Sequence, residues 1–409
     1  MVDSLRFEAN DFSPVYVAAC LIADGKAASL YDHHPYLFNI VPPGEFQETA
    51  ARCGFKGTIT PYVHLPLFAV LVRPLLSFPF SATTIILLVL NVIAVVLSLF
   101  LVLRLTDQKP ALRWLCIAVI ALACYYPLRY GLRLGQTSPM VFLGITSLYY
   151  LDRSGYQKLS GMLLGWIICL KITPILFLCY FLIKKRWSVA ISTIITLFVL
   201  GAASVILAGW ECNLTFLNNI IRLSGLSLAS WNNQSIDGLL LRWETGALHL
   251  YDWHLLSALW TIKAVKHCVR GCVVLLWLRA LLKSVNQESE HGNLLDFSLT
   301  IIISVIFAPI AWTHYLLFLT FPCLVLACAL VRNKKTPCRA WLMGGVIISY
   351  ISMALPTPYL LSLLNVPLFN HVPLTALSSG GFLGGALLLL ITFITLFLQK
   401  GVTGSRNPA

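Results

Sequence analysis

The chain has 409 residues, of which 58% are hydrophobic and only 11% charged, with a mean hydropathy of +0.82. A soluble globular chain carries about 25% charged residues, so the composition excludes a water-soluble protein and predicts an all-α polytopic membrane protein. The net charge of +13 would also suit a nucleic-acid binder, but the basic residues are scattered or flank apolar runs, which is the pattern of membrane topology.

In chain order, residues 1–81 read as a first outer loop with interfacial helices. The loop holds Asp11, in Asn10-Asp11-Phe12-Ser13-Pro14-Val15-Tyr16, ahead of an amphipathic stretch that ends at Gly25 and Tyr31-Asp32. The apolar segment 62–80 is broken by Pro66, Arg73, Pro74 and Pro79; it is expected to lie along the interface rather than cross. Spans are predicted near 82–104, 114–128, 137–151, 159–171, 172–183 and 187–208, then near 264–282, 297–312, 315–331, 340–355 and 374–398. These make about eleven, the shorter ones tolerated inside a bundle. Residues 82–208 are taken as the catalytic half, 209–263 as a large outer loop, 264–398 as the C-terminal spans and 399–409 as a cytoplasmic tail. Around Lys171-Ile172-Thr173-Pro174 two short helices are expected to meet below the surface, because proline cannot continue the hydrogen-bond ladder.

Basic clusters sort the connections. Arg104 to Arg113, Arg153 to Lys158, Lys184-Lys185-Arg186 and Arg332-Asn333-Lys334-Lys335 alternate with connections lacking such clusters, which places them in the cytoplasm together with the tail containing Lys400 and Arg406. An odd number of spans then puts the N-terminal segment and loop 209–254 outside a bacterial-type inner membrane, facing the periplasm. A segment exported in this way needs a signal or a preceding helix, and Met1-Val2-Asp3-Ser4-Leu5-Arg6 is neither; a first helix missing from the start is the expectation.

Most of the cysteines lie in apolar runs and read as small buried hydrophobes. Cys53 and Cys212 fall in the outer loops, where a disulfide between them is left open. No Walker A loop, GxGxxG, GxSxG or zinc-ligand spacing occurs, so neither a metal nor a cofactor is expected. The sequons at Asn213 and Asn233 indicate only loops.

Ionisable groups at a membrane edge are functional candidates, because burying a charge in hydrocarbon is costly. The outer side offers Asp11; Arg129, Arg133 and Gln136, between Tyr126 and Gln136; Lys171; Asn233 and Gln234; and His314, in Ala308-Pro309-Ile310-Ala311-Trp312-Thr313-His314-Tyr315. Plain readings stand beside these: Asp11 as a helix cap, Arg129 and Arg133 snorkelling to headgroups, His314 as a packing residue. Lys171, apolar on both sides, is harder to explain in that way. Together, one carboxylate and several cations on one face suit a reaction that consumes a phosphate-bearing lipid. The carboxylate takes a proton from an acceptor hydroxyl, and the cations offset the charge on a departing phosphate. A lipid-linked sugar transporter would instead show an inverted repeat with broken helices at mid-membrane. No such symmetry is visible, and a non-catalytic scaffold gives no reason for Lys171.

The motifs also have a recognisable order. Asp11-Phe12 is followed by Tyr16, Gly25 and Leu30-Tyr31-Asp32; then come Tyr62-Val63-His64-Leu65-Pro66-Leu67, Gly135-Gln136, Gly161-Met162-Leu163-Leu164-Gly165 and Leu170-Lys171-Ile172-Thr173-Pro174. Asn233-Gln234-Ser235 and Pro309-Ile310-Ala311-Trp312-Thr313-His314-Tyr315 complete the series. The chain thereby resembles glycosyltransferase family 87, polytopic GT-C-type enzymes that include polyprenyl-phosphomannose-dependent mannosyltransferases. The resemblance implies a GT-C helical bundle with an active site where membrane meets periplasm. It also implies a polyprenyl-phosphate sugar donor, a glycolipid or glycan acceptor, and an inverting transfer of a hexose such as mannose. Asp11 matches the family's catalytic position, and Lys171 and His314 match recurrent positions near the sugar phosphate. Arg129 and Arg133 rest on electrostatics alone, and Asn233 and Gln234 are expected to bind sugar hydroxyls. Two departures stand out. The family's first helix is expected to be missing before Asp11, and its Tyr-Pro-Pro-Leu segment is reduced to His64-Leu65-Pro66.

Overall fold

The structure, a computed structural model of the chain, describes residues 9–403 except 33, 35, 36, 57, 58, 107–111, 286–289 and 360–373. The segment Met1–Arg6 and the end of the tail with Arg406 therefore lie outside the described residues. No β-sheet occurs among those described. Isolated bridges join Leu37 to His254, Ser227 to Leu256 and Asn233 to Trp312, and they draw three distant loops to one end of a helical bundle.

The first unit is built of short helices: α1 (Ser13–Ala23), α2 (Glu45–Arg52) and α3 (Pro66–Val72), the last continuing as a 3-10 turn over Arg73–Ser77. Pro14 and Pro66 open α1 and α3, where a missing N–H costs nothing. None of the three is long enough to cross a bilayer at about 1.5 Å per residue. They share an apolar core of Phe12, Val15, Leu21, Phe46, Tyr62 and neighbours, which also takes in Ala208 and Cys212. Cys53 Sγ lies 3.3 Å from Cys20 Sγ, while Cys212 is buried in that core. The fold therefore sets Cys53 beside Cys20, across α1 and α2, and not beside Cys212.

The bundle follows: α4 (Phe80–Thr106), α5 (Leu112–Ala123), α6 (Tyr126–Arg133), α7 (Ser138–Arg153), α8 (Gln157–Leu170), α9 (Leu176–Ile183) and α10 (Trp187–Ala208). Beyond it run α11 (Trp210–Ser224), α12 (Ile236–Thr245), α13 (Trp260–Ser284), α14 (Glu290–Ile306), α15 (Thr320–Arg332), α16 (Arg339–Ala354), α17 (Leu374–Ser378) and α18 (Gly380–Thr403). Among the described residues, four helical stretches are long and apolar enough to cross a membrane: Phe80–Thr106, Trp187–Ala208, Thr313–Arg332 and Gly380–Leu398. Counting the bent pair α5 and α6 as one span makes five. Apolar side chains point outward from these helices, Phe198 at 76% and Ile206 at 80% exposure. Hydrocarbon, not water, is the solvent such a surface needs.

Several elements differ from the sequence reading. The span predicted over 114–128 stops at Ala123 and turns through 67° into α6. Pro127 accounts for the break, since it lacks an N–H with which to continue the ladder of α5; the backbone turns extended at Tyr125, and Pro127 opens α6. The predicted loop 209–263 contains two helices. One of them, α11, turns Leu217 and Ile221 outward, as an interfacial helix would. Asn213 sits within α11, buried, with its amide donating to Ser204 O at 3.1 Å, so this sequon lies in a helix and not in a loop. Lys184, read as a topology charge, is buried and donates to Ser284 Oγ, Asn293 Oδ1 and Asp296 Oδ2 at 2.7, 3.0 and 2.7 Å. That node ties α9 to α13 and α14.

The glycines of Gly161-Met162-Leu163-Leu164-Gly165 have a packing role. A Cβ on Gly161 would collide with the Val189 carbonyl oxygen, and one on Gly165 would lie 2.7 Å from Thr196 Cβ. Small residues four apart let α8 and α10 touch backbone to backbone, the usual device for helix pairing in lipid. Gly161→Val is expected to lower stability by about 1–3 kcal/mol, seen as a reduced thermal midpoint of the purified protein.

Candidate active site

The loops gathered at one end enclose a cavity of about 390 Å³. Its walls include Asn10, Asp11, His64, Tyr130, Gln136, Asn232 and His314, with aromatic panels from Phe38, Trp253 and Trp312. Phe38 and Trp312 pack with ring centroids 5.6 Å apart. A slot of this kind, apolar with a few convergent polar groups, is the usual form of a small-ligand site.

Asp11 is held there by backbone. The N–H groups of Ala9 and Asp11 donate to Arg133 O and Leu134 O, each at 3.0 Å, docking the chain onto the end of α6. Gly135 makes this approach possible. Its φ of +70° needs glycine, and a Cβ there would lie 3.0 Å from Phe12 Cβ. The helix-cap reading of Asp11 does not describe this arrangement, because α1 has no side-chain cap. Instead the carboxylate Oδ2 accepts a 2.6 Å hydrogen bond from Gln136 Nε2.

Gln136 is in turn a bridge. Its Oε1 accepts from Lys171 Nζ at 2.8 Å, and its backbone oxygen accepts from Asn91 Nδ2 at 2.9 Å. The ammonium on one side and the carboxylate on the other fix which way the amide faces. Lys171 follows the last turn of α8 in an extended conformation, where the Pro174 break frees it from the helix. Its Nζ also stands 4.6 Å from the Tyr315 ring centroid, a cation–π contact. Lys171 therefore backs the cavity wall through Gln136.

Burial raises the pKa of Asp11 above the usual carboxylate value; the Gln136 hydrogen bond and the Lys171 charge oppose that shift. A reaction needing ionised Asp11 is thus expected to lose rate as pH falls through a pKa above the ordinary range of about 4. The acid limb of a kcat/KM profile would show it.

His314 and His64 occupy the same cavity. His314 is buried, and neither ring nitrogen has a hydrogen-bond partner among the described residues. Gly131 makes room for it, since a Cβ at that position would lie 3.1 Å from His314 Cβ. Burial, with help from Lys171, lowers the pKa of His64 to about 4, so it is a neutral hydrogen-bonding group near neutral pH.

The other predicted residues lie elsewhere. Arg129 is exposed and Arg133 half-buried on α6, and neither lines the cavity. Asn233 and Gln234 are fully buried and their amides serve the fold. Asn233 Nδ2 donates to Leu228 O at 2.9 Å and its Oδ1 accepts from Ala311 N at 2.9 Å. Gln234 donates to Trp231 O and Ser378 O at 2.6 and 2.8 Å. Satisfying buried backbone groups in this way leaves no free polar atom to offer a sugar. The preceding residue, Asn232, faces the cavity instead. Sequence reasoning also passes over His64, Tyr130 and the three aromatics. Arg242, fully buried, shapes this loop by donating to Ser230 O and Asn233 O, both at 2.9 Å.

A larger cavity of about 480 Å³ opens at the far ends of α7 and α9, lined by Arg153, Lys185 and Arg186 among others. Its lysine Lys184 is committed to Asp296, at 2.7 Å, and Arg186 stands 3.8 Å from Asp152.

Fold and site together define a polytopic, all-helical membrane protein with a carboxylate–amide–lysine chain at a chamber on one end of its bundle. The family model for glycosyltransferase family 87 matches residues 62–309, and the chain belongs to that family. It is 25% identical over 297 residues to a polyprenol-phosphate-mannose-dependent alpha-(1-2)-phosphatidylinositol mannoside mannosyltransferase of Mycolicibacterium smegmatis, covering 68% of this chain. The protein of that name from Mycobacterium tuberculosis is 23% identical over 309 residues, 71% of this chain and 68% of its own length. The match spans 64% of the length of the M. smegmatis protein. Gln136 and Lys171 fall inside the family match; Asp11 precedes it and His314 follows it.

Proposed function

We propose that this chain is a membrane glycosyltransferase that moves a hexose, mannose in the first instance, from a polyprenyl-phosphate donor to a hydroxyl of a glycolipid or glycan. The observation that carries this reading is the chain Asp11–Gln136–Lys171, with spacings of 2.6 and 2.8 Å, at the wall of an aromatic-lined chamber. Asp11 takes the proton of the acceptor hydroxyl. The oxygen attacks the anomeric carbon, the bond from that carbon to the phosphate oxygen breaks, and polyprenyl phosphate leaves with the electron pair. Lys171 orients Asp11 through Gln136 and supplies positive potential toward the leaving phosphate. His314 and His64 donate or accept hydrogen bonds to the donor, and Trp253, Trp312 and Phe38 cover the apolar faces of the sugar. Arg129 and Arg133 act at the membrane surface in this scheme, not in the chamber.

The chamber faces the periplasmic side of a bacterial inner membrane in this reading. Helices α7 and α8 support that assignment. They run from the chamber to the basic turn at Arg153 and back, and basic turns favour the cytoplasm.

The test is transfer itself. Purified protein given radiolabelled polyprenyl-phosphate mannose and a phosphatidylinositol mannoside, the acceptor in the relatives' names, is expected to yield labelled glycolipid. Movement of the lipid-linked sugar across vesicles without any transfer would support a transporter instead.

A further inference from the structure

The loop between α12 and α13 brings His249, Asp252 and His254 together, and we propose that these three side chains bind one divalent transition-metal ion. His249 Nδ1 lies 3.2 and 3.1 Å from the two carboxylate oxygens of Asp252, and His254 Nδ1 lies 3.0 Å from Asp252 Oδ1. One ligand atom from each residue can be chosen so that all lie within 4.8 Å of one another. An ion held at about 2.0–2.2 Å by nitrogen and oxygen sets adjacent ligand atoms roughly 3 Å apart. The two carboxylate–imidazole edges already have that length.

The Asp252 carboxylate also accepts from His254 N at 3.3 Å, which fixes the turn that carries the three side chains. His254 Nδ1 is close to the carboxylate yet has no aligned hydrogen-bond partner among the described residues. The two imidazole rings stand 5.0 Å apart, centroid to centroid. Two imidazoles and a carboxylate select zinc, cobalt or nickel over magnesium or calcium. Access is open, with Asp252 38% and His254 43% exposed.

The position gives the ion a role. Residue 253 lies between two of the ligands, and Trp253 walls the chamber. Its carbonyl accepts from Phe38 N at 2.9 Å, and Leu37 bridges to His254. An ion joining residues 249, 252 and 254 cross-links this loop and sets how far Trp253 and Phe38 stand into the chamber. None of the three ligands lines the chamber, so the ion takes no part in bond breaking. The site stands whether or not the chamber transfers sugar.

The experiment is metal titration of the full chain, with its affinity tag removed and bound metal stripped by chelation. Calorimetry with Zn(II) and d–d absorption with Co(II) are expected to give one ion per chain. His249→Gln combined with His254→Gln is expected to reduce that to none. His267→Gln, at an exposed histidine on α13, is expected to retain one. Asp252→Asn, the mildest change, is expected to weaken binding and serves if the double variant does not fold. A wild-type chain that binds no ion, or a double variant that binds one with unchanged affinity, overturns the proposal.

Discussion

Asp11→Asn is expected to lower kcat by about 10³-fold, the middle of the range contributed by a positioned general base, while leaving donor binding nearly unchanged. The substitution is close to isosteric. The new side-chain amide would keep an oxygen to accept the 2.6 Å hydrogen bond from Gln136 Nε2, and the backbone bond to Leu134 O would remain. The position, the packing and the chamber volume are therefore preserved, and only the proton acceptor is lost. Steady-state kinetics separate the outcomes: a fall in kcat with little change in KM marks an interaction made in the transition state. A fall confined to KM would make Asp11 a binding residue.

The second large effect is expected at Lys171. Lys171→Met keeps the length of the side chain but removes the ammonium that donates to Gln136 Oε1 at 2.8 Å. Transfer is expected to fall by about 10²-fold, in the range found when one electrostatic stabiliser is removed. The pH profile separates a positioning role from simple misfolding. The positive charge opposes the burial that raises the Asp11 pKa. Without it the carboxyl holds its proton to higher pH, so the acid limb of kcat/KM moves upward. An unmoved limb would show that Lys171 does not act through Asp11.

Much of this organisation is legible along the chain. Long uninterrupted apolar runs mark α4 and α10 to within a few residues, because hydrocarbon permits few alternatives to a continuous helix. The break at Lys171 is equally readable, since Pro174 marks it. Asp11, Gln136 and Lys171 can each be named as candidates, but not their connection. Gln136 bridges the other two only because Gly135 turns the chain under Phe12, a contact between segments far apart in sequence. Local orientation is the weakest point. Asn233 and Gln234 look like sugar ligands, yet the fold uses both amides to satisfy buried backbone, and the adjacent Asn232 reaches the cavity. A shift of one residue in a loop reverses which side chain faces in, and apolar periodicity carries no information about it. Lys184 shows a related limit. A lysine at a helix end is legible as a topology charge, but its pairing with Asp296, on another helix 2.7 Å away, is not.

The mechanism rests on a single carboxylate. Asp11 is the one acidic side chain among the described residues that line the chamber, and a double displacement would need a second group to act as nucleophile. The anomeric configuration of the transferred sugar tests this directly. With ¹³C-labelled mannose on the polyprenyl phosphate, nuclear magnetic resonance of the isolated glycolipid is expected to show the configuration opposite to that of the donor. A product that retains the donor configuration would contradict single displacement with Asp11 as base.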